Sequence, residues 1–370
     1  IRQRVKVDAT AGWLLAAGQA ARASCATTEA SAGPVWSISS LHGRGELVND
    51  GSCRDRSRMH SSWRYDARAC VDGAPAWLLE GSDSTTGVAL IASHAGLVAA
   101  VCVDSGREYW RLQLAGRVDA PVSVCLSTAG EVLGCVGSYN GTVYFIRVAD
   151  GSVAWEYHTG AEVRCMACVE HGERGIVWCG SHDRCLHALS VKELPGQCVF
   201  KLQCQGSIMS TPVCVRPSTA PLSDIGGEAQ ATRSLVVVAS QDGVVRALAE
   251  RADDTPDRLQ YRRVWEHAIQ SPVFAGLIAT GEVVIVCDVR GCVHALAAAT
   301  GELLWQHRCG QESEGIFVTP FLLREEEVVV SLRSGRLESL SVSDGALLWS
   351  VAVAAGALTA VGVDPAHRCC

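Results

Sequence analysis

Tryptophan returns along this chain at a spacing close to 45 residues: Trp63, Trp110, Trp155, Trp265, Trp305 and Trp349, with Phe200 filling the one wide gap. A period of that length means that one supersecondary unit is repeated, and that each unit buries its apolar face against its neighbours. Each anchor follows a turn such as Asp104-Ser105-Gly106, Asp150-Gly151, Thr300-Gly301 or Asp344-Gly345. Such turns supply the positive φ angles that short hairpins require. A second landmark follows each anchor: Ala74-Pro75, Ala120-Pro121, Met166-Ala167, Thr211-Pro212, Ser271-Pro272, Thr319-Pro320 and Thr359-Ala360. Most of these carry proline, which cannot donate to a ladder and so marks a strand start that needs no donor.

Apolar runs come next, over residues 88–93, 132–138, 176–181, 235–240, 283–287 and 328–332. Each ends in a turn, for example Tyr139-Asn140-Gly141, Gln241-Asp242-Gly243 or Arg333-Ser334-Gly335. A last alternating strand then leads to the next anchor, as over residues 142–148, 185–189, 244–248, 292–296 and 336–340. Four strands per unit at this period is the signature of a propeller blade. No unit leaves room for a helix of about 12 residues, which excludes alternating α/β architecture.

The anchors and the proline-type strands each number seven, but the body of the chain holds only six of the two middle strands. The N-terminal region offers the missing pair: residues 35–39, a turn at His42-Gly43-Arg44-Gly45, and residues 46–48, just before Trp63. The expected fold is therefore an all-β, seven-bladed β-propeller of four-stranded antiparallel blades over residues 34–370. Its closing blade is expected to be composite, with one strand from residues 350–361 and three from residues 34–67. Closure of this kind removes exposed strand edges. Residues 1–33 show no landmark and read as a linker or the tail of a preceding domain. Residues 217–233 and 251–262 read as loop insertions that lengthen the fourth blade, at little entropic cost.

A net charge of −7 without any basic run argues against a nucleic-acid partner. No segment approaches the roughly 20 apolar residues of a membrane helix, and Ile1-Arg2-Gln3-Arg4 leads into no long apolar stretch. The 18 cysteines sit mostly inside strand-like runs (Cys102, Cys125, Cys135, Cys168, Cys179, Cys287), where free Cys behaves as a small hydrophobe. The expectation is a soluble cytoplasmic protein with reduced thiols.

At each candidate site packing competes with chemistry. Cys165-Met166-Ala167-Cys168 is a C-x-x-C pair, but positions i and i+3 of a strand point to opposite faces, so the thiols should not converge. Cys179, His182, Cys185 and His187 are dense enough for zinc to be conceivable. Yet His182 matches Tyr139 and Gln241 of other units, and His187 matches Tyr144 and His294, so turn and inter-blade packing positions are expected. His94, His182 and Asp183 fall in turns, and no Gly-x-Ser-x-Gly elbow accompanies them. No catalytic, cofactor-binding or metal-binding residue is assigned.

Two lines carry a resemblance: Gly180-Ser181-His182-Asp183-Arg184-Cys185-Leu186-His187-Ala188-Leu189 and Gly137-Ser138-Tyr139-Asn140-Gly141-Thr142-Val143-Tyr144. They look like the pyrroloquinoline-quinone-type propeller repeat. Together with Arg64-Tyr65-Asp66 and Cys70-Val71-Asp72-Gly73-Ala74-Pro75, they more closely resemble the C-terminal propellers of the animal β-alanine-activating enzyme family, a branch of the acyl-CoA synthetases. The resemblance covers roughly residues 60–350. It implies an intact ligase with adenylation, phosphopantetheine carrier and propeller parts, using ATP and Mg to activate β-alanine and hold it as a thioester. None of that chemistry maps onto residues here, for the chain has no Gly-rich phosphate loop of the adenylating kind and no Gly-Gly-x-Ser carrier signature. Quinoprotein dehydrogenases share the repeat and set an adjacent-cysteine disulfide against their quinone; the adjacent pair here, Cys369-Cys370, ends the chain.

The expected function is a non-catalytic propeller module that positions the carrier or an acceptor, with the adenylation and carrier domains of the same protein, or an acceptor protein, as partners. The alternative is a free-standing interaction scaffold; a quinone-dependent oxidoreductase is a remote third. If the composite blade closes the fold, deleting residues 1–62 abolishes cooperative unfolding in a urea titration, and an equally stable truncated protein rules that closure out.

Overall fold

A computed structural model describes residues 64–79, 87–170, 175–217, 234–250, 260–310, 314–323 and 326–352. Among the described residues, twenty-four strands form six sheets. The first sheet holds β1 (Ala76–Leu79), β2 (Gly87–Ala92), β3 (Leu97–Cys102) and β4 (Glu108–Gln113). The second holds β5 (Ser123–Leu126), β6 (Val132–Gly137), β7 (Thr142–Arg147) and β8 (Val153–His158). The third holds β9 (Cys168–Glu170), β10 (Ile176–Gly180), β11 (Cys185–Ser190) and β12 (Cys198–Gln203). The fourth holds β13 (Val213–Val215), β14 (Leu235–Ala239), β15 (Val244–Glu250) and β16 (Tyr261–Ala268). The fifth holds β17 (Ile278–Ala279), β18 (Val283–Cys287), β19 (Cys292–Ala297) and β20 (Leu303–Arg308). The sixth holds β21 (Phe321–Leu323), β22 (Glu327–Ser331), β23 (Arg336–Ser341) and β24 (Leu347–Ala352).

Every sheet is an antiparallel meander in chain order. The first strands lie beside one another across sheet boundaries, β5 against β9, β9 against β13 and β13 against β17. They are the inner strands, and each sheet runs outward from them as a propeller blade. Burial follows this layout. The middle strands β6, β10, β11 and β14 are buried at every position, because a neighbouring sheet covers each face, and they read as unbroken apolar runs. The outer strands alternate, as in β4 and β12, since one face looks outward. Among the described residues no helix is long and apolar enough to cross a membrane.

The tryptophans are the joints. The indole N–H of Trp110 donates to the Val148 carbonyl of the next blade at 2.8 Å, that of Trp265 to Ala298 at 2.9 Å, and that of Trp305 to Val342 at 2.8 Å. Each ring lies on the turn glycine of that next blade. A Cβ at Gly151 would fall 2.6 Å from Trp110, and one at Gly301 or Gly345 would fall 2.5 Å from Trp265 or Trp305. These glycines have φ of 76°, 74° and 72°, so both the left-handed turn and the close indole demand a missing side chain. Opposite five of the six anchors, the third strand carries Ala100, Ala188, Ala247, Ala295 or Ser339, small residues that leave room for the ring; opposite Trp155 stands Phe145, whose ring stacks on the indole at a centroid distance of 3.4 Å. A β-bulge follows immediately in all six sheets and increases the local twist of the outer strand. Phe200 takes the anchor place on β12, where it packs with Trp178 and Tyr261 at centroid distances of 6.1 and 5.2 Å.

A second joint is polar. An acid or amide in the turn between the middle strands reaches a partner on the third strand: Asn140–Tyr144 at 2.7 Å, Asp183–His187 at 3.0 Å, Asp242–Arg246 at 2.9 Å and Asp288–His294 at 3.3 Å. The preceding blade completes it. The amides of Gly160, Gln205 and Gly310 donate across the boundary to Asp183, Asp242 and Glu338 at 3.0, 3.2 and 3.3 Å. Burial alone would raise these aspartates, but the donors prevail and hold Asp183, Asp242 and Asp288 below the usual range. Burial pushes His187 below its ordinary value despite the nearby Asp183.

The proline landmark departs from the sequence reading in one blade. Pro75, Pro212 and Pro320 immediately precede their inner strands and Pro121 lies two residues ahead, but Pro272 lies six residues ahead of β17. Gly276-Leu277 holds the equivalent place, and the Gly276 amide donates to Thr319 Oγ1 of the next blade at 3.0 Å. Residues 350–352 continue β24; residues 34–63 and 353–361, where the rest of the composite blade was expected, lie outside the described residues. Residues 64–67 carry no strand, and the Ala67 carbonyl accepts a hydrogen bond from Ser93 at 2.8 Å.

Trp305→Ala should destabilise the fold by about 3–5 kcal/mol. Gly345→Ala should cost about 1–2 kcal/mol for its backbone and more for displacing the indole. Only the second cost vanishes when Trp305 is absent, so a double-mutant cycle by urea denaturation should give a coupling of about 0.5–3 kcal/mol; strict additivity contradicts the joint. Acid acts in two stages. Below about pH 6.5 the unfolded chain protonates its histidines while folded His187 resists, so stability falls as pH falls. The aspartate contribution is present above 3.8 and disappears as pH drops through the lower folded values. His187→Gln should flatten the first stage in urea midpoints measured against pH, and an unchanged profile refutes that assignment.

Candidate functional site

The inner strands bring a set of side chains to one end of the sheets. Four residues before each inner strand stand Asp72, Asp119, Arg164, Met209, Phe274 and Phe317. An aliphatic residue precedes each, and Val118, Val163, Ile208, Val273 and Ile316 are buried. These aliphatics pin the lead-in: the amides of Val118, Val163, Ile208 and Ile316 donate to Ser93, Ser138, Ser181 and Asp288 of the preceding blade's turn. The turn of the same blade returns a bond, from the amides of His94, Tyr139, His182, Gln241 and Val289 to the carbonyls of Cys70, Arg117, Glu162, Ser207 and Pro272. Asp72 is thereby set beside His94, Asp119 beside Tyr139 and Met209 beside Gln241.

Over the first three blades this face is charged. His94 Nε2 lies 2.8 Å from Asp72 and 3.2 Å from Asp119. Asp119 also receives Arg117 and the Tyr139 hydroxyl at 2.5 Å, and Arg164 at 3.3 Å. The guanidinium carbons of Arg117 and Arg164 stand 5.0 and 4.8 Å from the Tyr139 ring centroid, within cation–π range. Burial works to raise the Asp119 carboxyl, but Tyr139 and Arg117 hold it below the usual range. Burial and Asp119 push Tyr139 up to about 12. His182, lowered by burial, faces Glu162 at 3.6 Å, and its Nε2, like Arg164 Nε, is buried without a hydrogen-bond partner.

Over the next three blades the same positions are apolar. Gln241 donates to the Met209 sulfur at 2.7 Å, and the rings of Phe274 and Phe317 lie 6.0 Å apart. Phe317 is 48% exposed. Sequence reading missed this set, because four residue types spread over six positions share no motif; the one available signal, a place three residues before the second residue of the proline landmark, holds for Asp72, Arg164, Met209 and Phe317 and fails for Asp119 and Phe274.

The residues weighed for chemistry are placed differently. Asp183, Cys185 and His187 come together with ligand atoms within 4.8 Å, as do His307, Cys309 and Glu338, and Asp72, His94 and Asp119. In the first group Asp183 is already occupied by Gly160, Cys185 and His187 as part of the polar joint. Cys179 packs with Cys125 and Cys135 of the neighbouring blade, and His182 belongs to the lead-in face. The C-x-x-C thiols diverge: Cys165 Sγ sits against the Gly180 backbone at 3.3–3.4 Å, and Cys168 Sγ faces Cys214 Sγ at 3.4 Å.

Comparison with known proteins bears on this fold. Residues 67–363 match the family described as β-alanine-activating enzyme, β-propeller. The human β-alanine-activating enzyme is 33% identical over 92 residues, which are 25% of this chain and 8% of that protein. The outer membrane protein assembly factor BamB of Yersinia pestis is 23% identical over 277 residues, 70% of this chain and 62% of that protein. The aligned parts are thus under two thirds of either relative. Among solved structures, BamB from Moraxella catarrhalis superposes with a TM-score of 0.56 at 21% identity, over 76% of this chain and 77% of that one. The computationally designed Ika8 protein gives 0.55 at 16%, over 79% and 85%. These likenesses are to the fold alone. The family match spans well over half of the chain, which is a β-propeller belonging to the β-alanine-activating enzyme family.

Proposed function

We propose that this chain is the non-catalytic propeller module of its parent protein, and that it holds a partner protein against the lead-in face. The partner of first choice is the carrier domain of the same protein, presented to its adenylation domain or to an acceptor. On this reading the ATP- and Mg-dependent activation of β-alanine, and its thioester on phosphopantetheine, belong to other domains of a cytoplasmic ligase. The propeller contributes position. The observation that carries the reading is the composition of the face: Met209, Phe274 and Phe317 beside Arg117, Tyr139 and Arg164. Met, aromatic residues and Arg are the types enriched at protein interfaces. Asp183, Asp242, Asp288, His187 and His294 are taken up by the polar turn pairs. A free-standing interaction scaffold is the second reading, favoured by the similarity to a protein named as an assembly factor, and it would use the same face.

Binding of the isolated carrier domain to this chain, measured by calorimetry, tests the proposal. Phe274→Ser with Phe317→Ser, and separately Arg164→Ala, should weaken binding about tenfold or more without lowering Tm. Leu348→Ser, on the outer strand, should leave it unchanged. Affinity that ignores the face variants but falls with the outer one overturns the assignment; carrier binding absent while another cytosolic protein cross-links to the face moves the conclusion to the scaffold.

A further inference from the structure

We propose that Cys168 and Cys214 form a redox-active thiol pair that closes into a disulfide across the boundary between the third and fourth blades. The two residues are 46 positions apart in the chain, on the inner strands β9 and β13, with their sulfurs 3.4 Å apart. A disulfide needs about 2.05 Å, so the sulfurs must approach by a little over an ångström, within the reach of side-chain rotation about χ1. Both residues are half-buried, so a small oxidant reaches them while the fold protects the product.

The other cysteines define what is special here. Cys125, Cys135, Cys165 and Cys179 also cluster between two blades, but all are buried, and burial pushes the Cys125 and Cys165 thiols up to about 12. They are inert packing. Cys165, the motif neighbour of Cys168, is turned away onto the Gly180 backbone. The C-x-x-C spacing therefore names one member of the pair and misnames the other. The hydrogen bond with Cys168, and then burial, raise the Cys214 thiol above its ordinary value, so Cys214 is assigned the resolving role.

With hydrogen peroxide as oxidant the step balances. The Cys168 thiolate attacks one peroxide oxygen and the O–O bond breaks; Cys168 becomes a sulfenic acid, and the hydroxide released takes the proton that Cys168 lost, giving water. The Cys214 sulfur then attacks the Cys168 sulfur. The S–O bond breaks, the S–S bond forms, and hydroxide leaves with the Cys214 proton as a second water. Two thiols are oxidised by two electrons and one peroxide is reduced. The bridge lies just beyond Arg164 and Met209 in the chain, where the charged half of the lead-in face meets the apolar half, so it would fix their spacing.

The full chain, treated with peroxide, blocked with N-ethylmaleimide and digested without reduction, should yield a peptide joining Cys168 to Cys214 that dithiothreitol separates. Exposed Cys70 serves as the internal measure of oxidant dose. In Cys214→Ser the sulfenic acid has no resolving thiol, so dimedone labelling of Cys168 should rise several-fold over wild type. A Cys165–Cys168 peptide, or recovery of Cys168 and Cys214 as maleimide adducts at doses that oxidise Cys70, overturns the proposal, as does equal dimedone labelling. If Cys214→Ser fails to fold, Cys214→Ala replaces it, and the wild-type peptide map decides without either variant.

Discussion

An indole laid on a glycine turn is the contact from which this architecture follows. At Trp110, Trp265 and Trp305 the ring packs between two sheets, worth about 2–3 kcal/mol of apolar burial, and its one polar atom is satisfied by a carbonyl of the adjoining blade. The same turn glycine closes the hairpin of one blade and receives the ring of another. Local and inter-blade requirements therefore converge on a single residue, and a change at that glycine strains a turn and lifts a ring together. Consistency of that kind keeps competing registers high in energy, because a strand slipped by one residue would carry its indole to the wrong face.

Once the outer strands and the polar turn acids have joined the sheets, the lead-ins to the inner strands are released from packing. Their aliphatic residue is held constant in type from Val118 to Ile316, buried and hydrogen-bonded. The next residue ranges from Asp72 through Arg164 to Phe317. Stability sits on one position and surface chemistry on its neighbour. That separation is how a propeller can change what it binds without changing how it folds.

Much of this was legible before any coordinates. Tryptophan spacing located five of the six described outer strands and Phe200 the sixth, while the Asp-Gly and Thr-Gly turns marked some of them, because indole and left-handed glycine each impose a local demand that residue type reveals. The divergence of Cys165 and Cys168 was visible from strand periodicity. Other features were not. Ser271-Pro272 was placed at a strand start that lies six residues further on, since β17 has two residues and too little pattern to fix its register. The lead-in face carries no motif, as its members share a position and not a chemistry. Cys214 as the partner of Cys168 depends on which inner strands adjoin, a fact of topology that no local window contains.

The dense cluster at Asp183, Cys185 and His187 occupies positions that repeat from blade to blade. Taken alone, a carboxylate, a thiol and an imidazole within 4.8 Å have the donor set of a zinc site. The equivalent positions elsewhere hold Asn140 with Tyr144 and Asp242 with Arg246, pairs with no common affinity for a metal. What the pairs share is a turn oxygen or amide bridged to the third strand, and in two of the three blades that turn acid also takes an amide from the preceding outer strand. The interaction that persists while the chemistry changes is the structural one. His187 is thus one solution to a joint that its neighbours solve with a phenol and a guanidinium, and its burial favours the neutral imidazole because the joint needs a hydrogen-bond partner and not a charge.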